Sequence, residues 1–199
     1  MTATTRLAPL TLAQVPAEDR AVLRGRLPSA DRYLADDGDE PRLPNVLGLF
    51  AHHPAVTAPF LELSGALTSA ALLSPRDREL LVLRVSWRTR CAYEWGQHVR
   101  IGRAVGLTDD DLAGIGVALD DHAWSDRDRA LLQATDELLS THTLSDGTWT
   151  LLGRHLDEQR VLEVLFVVGT YLTLAFVMNG AGLAPDPGSD TALPTAVEV

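Results

Sequence analysis

The spacing of the apolar residues constrains the fold of this chain more than any other feature. From Pro44 to Met178 the apolar side chains recur every three or four residues, and no segment alternates apolar and polar residues over the length of a strand. Two helix starts are marked by a capping hydroxyl, Ser74 before Pro75 and Thr108 before three aspartates. We therefore predict an all-α protein that folds as a compact helical bundle.

The same pattern predicts where the helices end. The pattern weakens from Ser86 to Arg90, so we expect a turn there, and Gly106 is a natural residue to follow a helix. Asn179 and Gly180 are read as the C-cap of the last helix. The predicted helices cover residues 17–26, 45–52, 54–67, 75–85, 91–106, a short segment from 108, 125–140, 145–156 and 157–178.

The domain organisation follows from the turn-rich and helical stretches. Residues 36–41 are acidic and turn-rich, and are predicted to be a loop. The predicted organisation is a lead-in at 1–43 that packs on the bundle, a single helical domain at 44–183 and a flexible tail at 184–199.

The charged residues exclude several classes of function. All 17 basic residues are arginine, so no lysine can form a Schiff base, hold pyridoxal phosphate or contact a nucleotide in a P-loop. The formal net charge of −10 argues against nucleic acid and against anionic membranes as partners. We expect a small-molecule substrate and no cofactor.

Cys91 is the single cysteine, so an intramolecular disulfide and a multi-cysteine zinc site are both excluded. The longest apolar run, 161–178, contains Glu163 and fits a core helix better than a membrane span. The first residues lack the apolar region of a secretory signal. A cytoplasmic protein is the expected reading.

Four residues form a candidate chemical centre. Cys91, Glu94 and His98 share one face of a predicted helix, and Glu79 lies on the preceding helix, from which it can reach His98. A carboxylate beside an imidazole gives a proton donor or acceptor near neutral pH, and two nearby carboxyl groups can divide into an acid and a base. A cysteine at a helix N-terminus tends toward the nucleophilic thiolate.

Spacing alone favours a structural interpretation of these residues. Glu94 and His98 can be an exposed pair one turn apart, Glu79 a surface residue and Cys91 a small buried side chain. A divalent metal held by Glu79, Glu94 and His98 has no further support in the sequence, so no metal is expected.

An internal similarity links two parts of the chain. The segment 74–81, Ser-Pro-Arg-Asp-Arg-Glu-Leu-Leu, recurs at 125–132 as Ser-Asp-Arg-Asp-Arg-Ala-Leu-Leu. Ala130 replaces Glu79 in the second copy, and His142, Ser145 and Trp149 stand at the positions of Cys91, Glu94 and His98. Because the second copy lacks the acid, we expect it to be structural.

Residues from about 72 to 115 resemble the carboxymuconolactone decarboxylase family, which includes the alkylhydroperoxidase D proteins. The peroxidase branch carries Glu-x11-Cys-x2-Cys-x3-His, and the same spacing here reads Glu79-x11-Cys91-x2-Glu94-x3-His98. The segment Tyr93-Glu94-Trp95-x-x-His98 resembles a common variant. The resemblance implies an alkylhydroperoxidase D-like helical bundle, assembled into a trimer, hexamer or dimer, with the site near a subunit interface.

Glu94 departs from the peroxidase pattern because it replaces the second cysteine. The resemblance implies that a cysteine pair carries out peroxide reduction, and a single thiol cannot close that cycle internally. The decarboxylase branch has Glu-x3-His at this place, as Glu94 and His98 do. The present chain is longer than that decarboxylase, so its substrate can differ.

Three hypotheses follow. The first is a carboxymuconolactone decarboxylase-like lyase in which Glu79 and His98 transfer protons on a small organic acid or lactone, with Glu94 as second acid. The second is single-cysteine peroxidase chemistry at Cys91, and the third is a non-catalytic oligomeric relative. Candidate substrate-lining residues are Tyr93, Trp95 and Arg84, although packing is the stronger expectation for the two aromatic rings and an ion pair with Glu79 or Glu94 for Arg84.

Overall fold

A computed structural model describes residues 5–34, 42–189 and 192–194, and within these ranges every regular element is a helix. The prediction of an all-α fold is confirmed. The predicted loop at 36–41 lies outside the described residues. The α-helices are α1 (Ala17–Leu23), α2 (Pro28–Asp31), α3 (Asn45–Phe50), α4 (Pro54–Ser69), α5 (Pro75–Arg88), α6 (Ala92–Ala104), α7 (Asp109–Ile115), α8 (Asp126–Thr141), α9 (Asp146–Gly153) and α10 (Glu158–Ala181).

The chain divides into two compact units. The first unit comprises the chain up to Ala71 together with Met178–Pro187, and the second comprises Leu72–Val177 and the residues from Gly188 onward. In the first unit α1 packs against α4. The backbone nitrogen of Asn45 donates to the Asp186 carboxylate at 2.8 Å, which joins the C-terminal segment of this unit to α3.

Helix α5 is the central element of the second unit. Ser74 caps it by accepting from the Asp77 backbone nitrogen, as the sequence predicts. Every residue from 77 to 87 is buried. The turn predicted at 86–90 forms only at Thr89 and Arg90, because the helix continues to Arg88 and the Ser86 hydroxyl donates to the Val82 carbonyl within it.

Helix α6 follows after a tight connection and lies close to α5. Arg90 turns the chain with a φ of 55°, and Cys91 is the N-cap of α6. A Cβ atom on Gly102 would lie 3.1 Å from a Leu83 methyl group, so a glycine permits the close approach of the two helices. Gly106 follows the helix with a φ of 100°, as predicted.

Helix α8 packs against α5 through reciprocal ion pairs. Arg76 of α5 binds Asp128 of α8 at 2.7 Å, and Arg127 of α8 binds Asp77 of α5 at 2.7 Å. These residues occupy matching positions in the two similar segments. The internal similarity therefore corresponds to two helix starts that face each other and exchange equivalent contacts.

Helix α10 is longer than predicted. It ends at Ala181, and Gly182 has a φ of 63°, so the assignment of Asn179 and Gly180 as its C-cap is wrong. By length and composition α10 is able to cross a membrane, but a core helix passes the same test, and 44% of its most apolar window is buried. One face is buried through Val164 and Val167, whereas Phe166 and Phe176 are exposed on another.

Candidate active site

Glu79 and His98 are brought into direct contact by α5 and α6. The Glu79 Oε2 atom lies 2.6 Å from His98 Nδ1. The Glu79 side chain is only 2% exposed and that of His98 is 15% exposed. Because Nδ1 is occupied by the carboxylate, Nε2 is the ring nitrogen that can exchange a proton with a bound molecule. Arg78 Nε lies 3.5 Å from the other Glu79 oxygen.

Glu94 is a buried carboxyl group in which one oxygen has a hydrogen-bond partner and the other has none among the described residues. Its Oε2 atom lies 3.2 Å from the Ser86 hydroxyl, and its Oε1 atom is buried without a hydrogen-bond partner among the described residues. Burial raises the pKa of Glu94 well above its ordinary value, the nearby Glu79 charge raises it further, and Ser86 only partly opposes this.

The hydrogen bonds of Ser86 are consistent with a protonated Glu94. Ser86 has one hydroxyl proton, and it lies 2.8 Å from the Val82 carbonyl oxygen, which can only accept. The Ser86 oxygen can then accept the Glu94 proton. Glu94 is only 1% exposed, so the interpretation of Glu94 and His98 as an exposed ion pair is wrong.

Cys91 is completely buried at the start of α6. Burial, and to a smaller extent the Glu94 carboxyl group, raise the pKa of its thiol to about 12, although the first-turn backbone N–H groups act in the opposite direction. The expectation of a thiolate at this helix N-terminus is therefore wrong. Desolvation of the charged form outweighs the favourable helix terminus.

Tyr171 of α10 contacts the site, although no sequence pattern indicates it. Its ring lies edge-to-face on the His98 imidazole, with 5.1 Å between the ring centroids. Burial raises the pKa of the Tyr171 phenol, as do the carboxyl groups of Glu79 and Glu94, whereas Arg78 lowers it. Tyr171 follows the family-like segment by more than fifty residues, so no local spacing could indicate this contact.

Arg84 does not join the cluster. Its guanidinium binds both oxygens of Asp136, at 2.8 and 2.6 Å, and donates to the carbonyls of Ile115 and Val117. The expected pairing of Arg84 with Glu79 or Glu94 is wrong because Arg84 lies on the α8 side of α5.

The two aromatic candidates are buried. Tyr93 is 4% exposed and Trp95 is 3% exposed, which agrees with packing as the stronger expectation for both. Among the described residues no group of three His, Cys, Asp or Glu side chains has the geometry to hold a metal ion.

Residues 54–137 match the carboxymuconolactone decarboxylase family. No curated protein matches the sequence. The fold is similar to that of several solved structures, each of them less than 25% identical, so these likenesses establish the fold alone.

One similar structure is an uncharacterized peroxidase-related protein with an alkylhydroperoxidase AhpD core from Ralstonia eutropha. It has 19% identity and a TM-score of 0.70, and the match covers 91% of this chain and 93% of that chain. A variant of the debrominase Bmp8 in complex with 2,3,4-tribromopyrrole has 14% identity and a TM-score of 0.72, over 94% and 95% of the two chains. A peroxidase-related protein from Silicibacter has 17% identity and a TM-score of 0.66, over 74% and 78%. Residues 54–137 thus form a carboxymuconolactone decarboxylase family segment within an alkylhydroperoxidase D-like helical fold.

Proposed function

We propose that this protein is a cofactor-free, carboxymuconolactone decarboxylase-like enzyme that transfers protons on a small organic acid or lactone. The observation that carries the proposal is the 2.6 Å contact between Glu79 and His98 beside the buried Glu94 carboxyl group, whose pKa is raised. The cluster combines an oriented imidazole with a carboxylic acid, which are the two groups that acid–base catalysis needs.

Each group has a role in the proposed reaction. Glu94 donates its proton toward a substrate carbonyl oxygen, while the carbon–carbon bond to the carboxylate breaks and carbon dioxide leaves. The electron pair of that bond forms an enol, so no external electron acceptor is required. His98, stabilised as an imidazolium by Glu79, then delivers its Nε2 proton to the enol carbon, while the enol O–H proton returns to Glu94 as the carbonyl forms again. His98 regains its proton from solvent, so each turnover takes up one proton and releases one carbon dioxide.

Turnover of small lactone acids and β-keto acids, including carboxymuconolactone, tests this proposal by release of carbon dioxide. We expect His98→Ala to lower the rate by about 10²–10⁴-fold, the usual contribution of a general acid or base. Trp149→Ala is the matched control, because Trp149 stands at the corresponding position of the second copy and is 54% exposed. Equal turnover in His98→Ala and wild type would refute the proposal, and absence of turnover throughout the panel would favour a non-catalytic relative.

Thiol redox chemistry is the second candidate, because solved structures with this fold are described as peroxidase-related. Cys91 would be its only thiol, and its raised pKa opposes the reaction. Cys91→Ser separates the two candidates: it should retain lyase turnover, whereas a peroxidase would lose all peroxide reduction.

The proposal includes a cytoplasmic homo-oligomer. Leu162, Phe166, Phe176 and Val177 of α10 are 40–67% exposed, and together they leave roughly 400 Å² of apolar surface, a size typical of interaction sites. A second copy of the chain is the expected occupant, since an anionic membrane would repel a protein of net charge −10. Light scattering should show dissociation in Phe176→Glu, and a monomeric wild type would contradict this assignment.

A further inference from the structure

Arg78 differs from Arg76, Arg127 and Arg129 in what its terminal nitrogens bind. Arg76 and Arg127 bind carboxylates through these nitrogens, at 2.7 Å in each case. Arg129, at the position of Arg78 in the second copy, donates from both terminal nitrogens to Asp120 and to the Leu119 carbonyl. Arg78 approaches Glu79 only through Nε, at 3.5 Å, and no described residue accepts a hydrogen bond from its Nη1 or Nη2.

The lack of partners matters because Arg78 is largely shielded from water. Its side chain is 11% exposed, whereas that of Arg88, which also has a single long ion pair, is 38% exposed. Neither terminal nitrogen of Arg78 is among the described side-chain atoms that are buried without a partner, so both still reach solvent. A ligand carboxylate can therefore approach them and replace water with charge-assisted hydrogen bonds.

Arg78 also lies beside the reacting groups. Glu79 and Glu94 are almost completely buried, so Arg78 and His98 provide most of the exposed surface through which a ligand can meet the cluster. Arg78, Glu79 and Glu94 all act electrostatically on the Tyr171 hydroxyl, which indicates that the four side chains converge on one region. The unbonded Oε1 atom of Glu94 belongs to the same cluster.

We propose that Arg78 binds the carboxylate of the substrate through Nη1 and Nη2, beside the Glu79–His98 pair. The proposal rests on the proposed function for the reaction, but the binding can be measured separately. The planar fork of a guanidinium matches a carboxylate in a bidentate geometry. Glu79 contacts Arg78 only through Nε, at 3.5 Å, so this contact leaves the Nη1–Nη2 edge of the guanidinium open to a ligand. The site would therefore select carboxylate substrates over neutral lactones, esters and amides.

Binding of matched neutral and anionic probes tests the assignment without any turnover. The probes are benzoate with benzamide and butyrate with butyramide, titrated into the full-length protein while the Arg Nε–H resonances are followed by NMR. We expect wild type to bind the carboxylates more tightly than the amides, and the Arg78 resonance to shift. Arg78→Gln should raise the carboxylate Kd by about 10- to 100-fold and leave the amide Kd unchanged, since hydrogen bonds to charged groups are lost.

Two further variants keep the test decisive. Arg78→Lys retains the charge but not the fork, and should give an intermediate Kd. Arg103→Gln removes an arginine of α6 that is 51% exposed and should bind the carboxylates like wild type. Circular dichroism establishes that each variant is folded. The inference is overturned if wild type shows no preference for carboxylates, or if Arg78→Gln retains that preference.

The outcome is distinguishable from a failure of the proposed function. His98→Ala should lose turnover and keep its carboxylate Kd within about threefold of wild type. Carboxylate binding that depends on Arg78, without turnover that depends on His98, would refute only the proton-transfer proposal. Turnover that depends on His98, with a Kd that is indifferent to Arg78, would refute only the assignment of Arg78.

Discussion

The helix pairs α5–α6 and α8–α9 begin alike and differ in how they bind a glutamate. Ser74 and Ser125 cap the first helix of each pair by the same hydrogen bond, at 3.0 and 3.1 Å. In the first pair Ser86 on the first helix meets Glu94 on the second. In the second pair the residues are exchanged at the same positions, so that Glu137 on the first helix meets Ser145 on the second.

Because of this exchange, the two glutamate carboxyl groups accept different numbers of hydrogen bonds. Glu137 accepts from the Ser145 backbone nitrogen at 2.8 Å and from the Thr148 hydroxyl at 2.6 Å, and also from Gln133 and the Ser145 hydroxyl. Burial acts to raise the pKa of Glu137, but these hydrogen bonds outweigh it and lower the pKa. Glu94 has one serine partner and is fully buried, so its pKa is raised. Donor supply and burial thus turn one glutamate into a structural carboxylate and the other into an acid.

The largest expected difference between the pairs is in thiol reactivity at the matching positions 91 and 142, of which the first is the N-cap of α6 and the second the C-cap of α8. Cys91 is buried with a pKa of about 12, whereas His142 at the corresponding position is exposed. A cysteine placed at 142 in a Cys91→Ser background should have a pKa near ~8.5. At pH 7.5 we therefore expect iodoacetamide to alkylate it about 10³-fold faster than it alkylates Cys91. Comparable rates would show that Cys91 is activated and would revive the redox candidate.

Replacing each glutamate by glutamine should change how the free energy of unfolding depends on pH, with opposite signs for Glu94 and Glu137. The raised pKa of Glu94 means that the folded state holds a proton which the unfolded state releases above about pH 4.5. Relative to Glu94→Gln, the free energy of unfolding of wild type should therefore fall by about 1.4 kcal/mol per pH unit as the pH rises from about 4.5 to the pKa of Glu94 in the folded state.

The lowered pKa of Glu137 gives the opposite sign. Its stabilisation is present above about pH 4.5 and is lost as the pH falls through the folded pKa. Glu137→Gln should cost about 1 kcal/mol at neutral pH, a small value because the side chain is partly solvated. Urea unfolding between pH 3 and 9 measures both effects, and parallel pH dependences in the two variants would remove the distinction between the glutamates.

The smallest expected effect concerns what the two pairs share. Arg76→Met and Arg127→Met each remove one of the reciprocal ion pairs, whose arginine side chains are 31% and 36% exposed. We expect each substitution to lower the free energy of unfolding by about 1 kcal/mol, because partly exposed ion pairs contribute little. Equal losses would indicate equivalent helix starts. A loss more than about 1 kcal/mol larger in one variant would show that the similarity does not extend to energetics.

The sequence was sufficient to predict the all-α fold, most of its helices and the contact between Glu79 and His98. Caps such as Ser74 and Thr108 are local, so the sequence contains all the information they need. The contact of Glu79 with His98 is also predictable from local information, because it joins two helices that are consecutive in the chain. Local spacing was misleading at Cys91, because the favourable helix terminus is visible in the sequence whereas the degree of burial is not.

Contacts between distant segments could not be predicted in the same way. Arg84 was expected to face the acids because it lies on the helix of Glu79, but its bidentate contact with Asp136 depends on where α8 packs. Tyr171 reaches His98 from α10, and no spacing rule connects the two. Arg78 precedes Glu79 in the sequence, but only the structure shows that no described residue accepts a hydrogen bond from its Nη1 or Nη2 atom.

The complete burial of the middle of α5 also has an evolutionary consequence. Glu79 and Arg84 each depend on a partner from another helix, His98 and Asp136 respectively. A change at one of these positions would leave a charge without its partner inside the protein, which is strongly destabilising. Homologous sequences should therefore change such residues in pairs. Pairs that vary together would be identified as structural. A Glu79–His98 pair that does not vary would instead be retained for its chemistry.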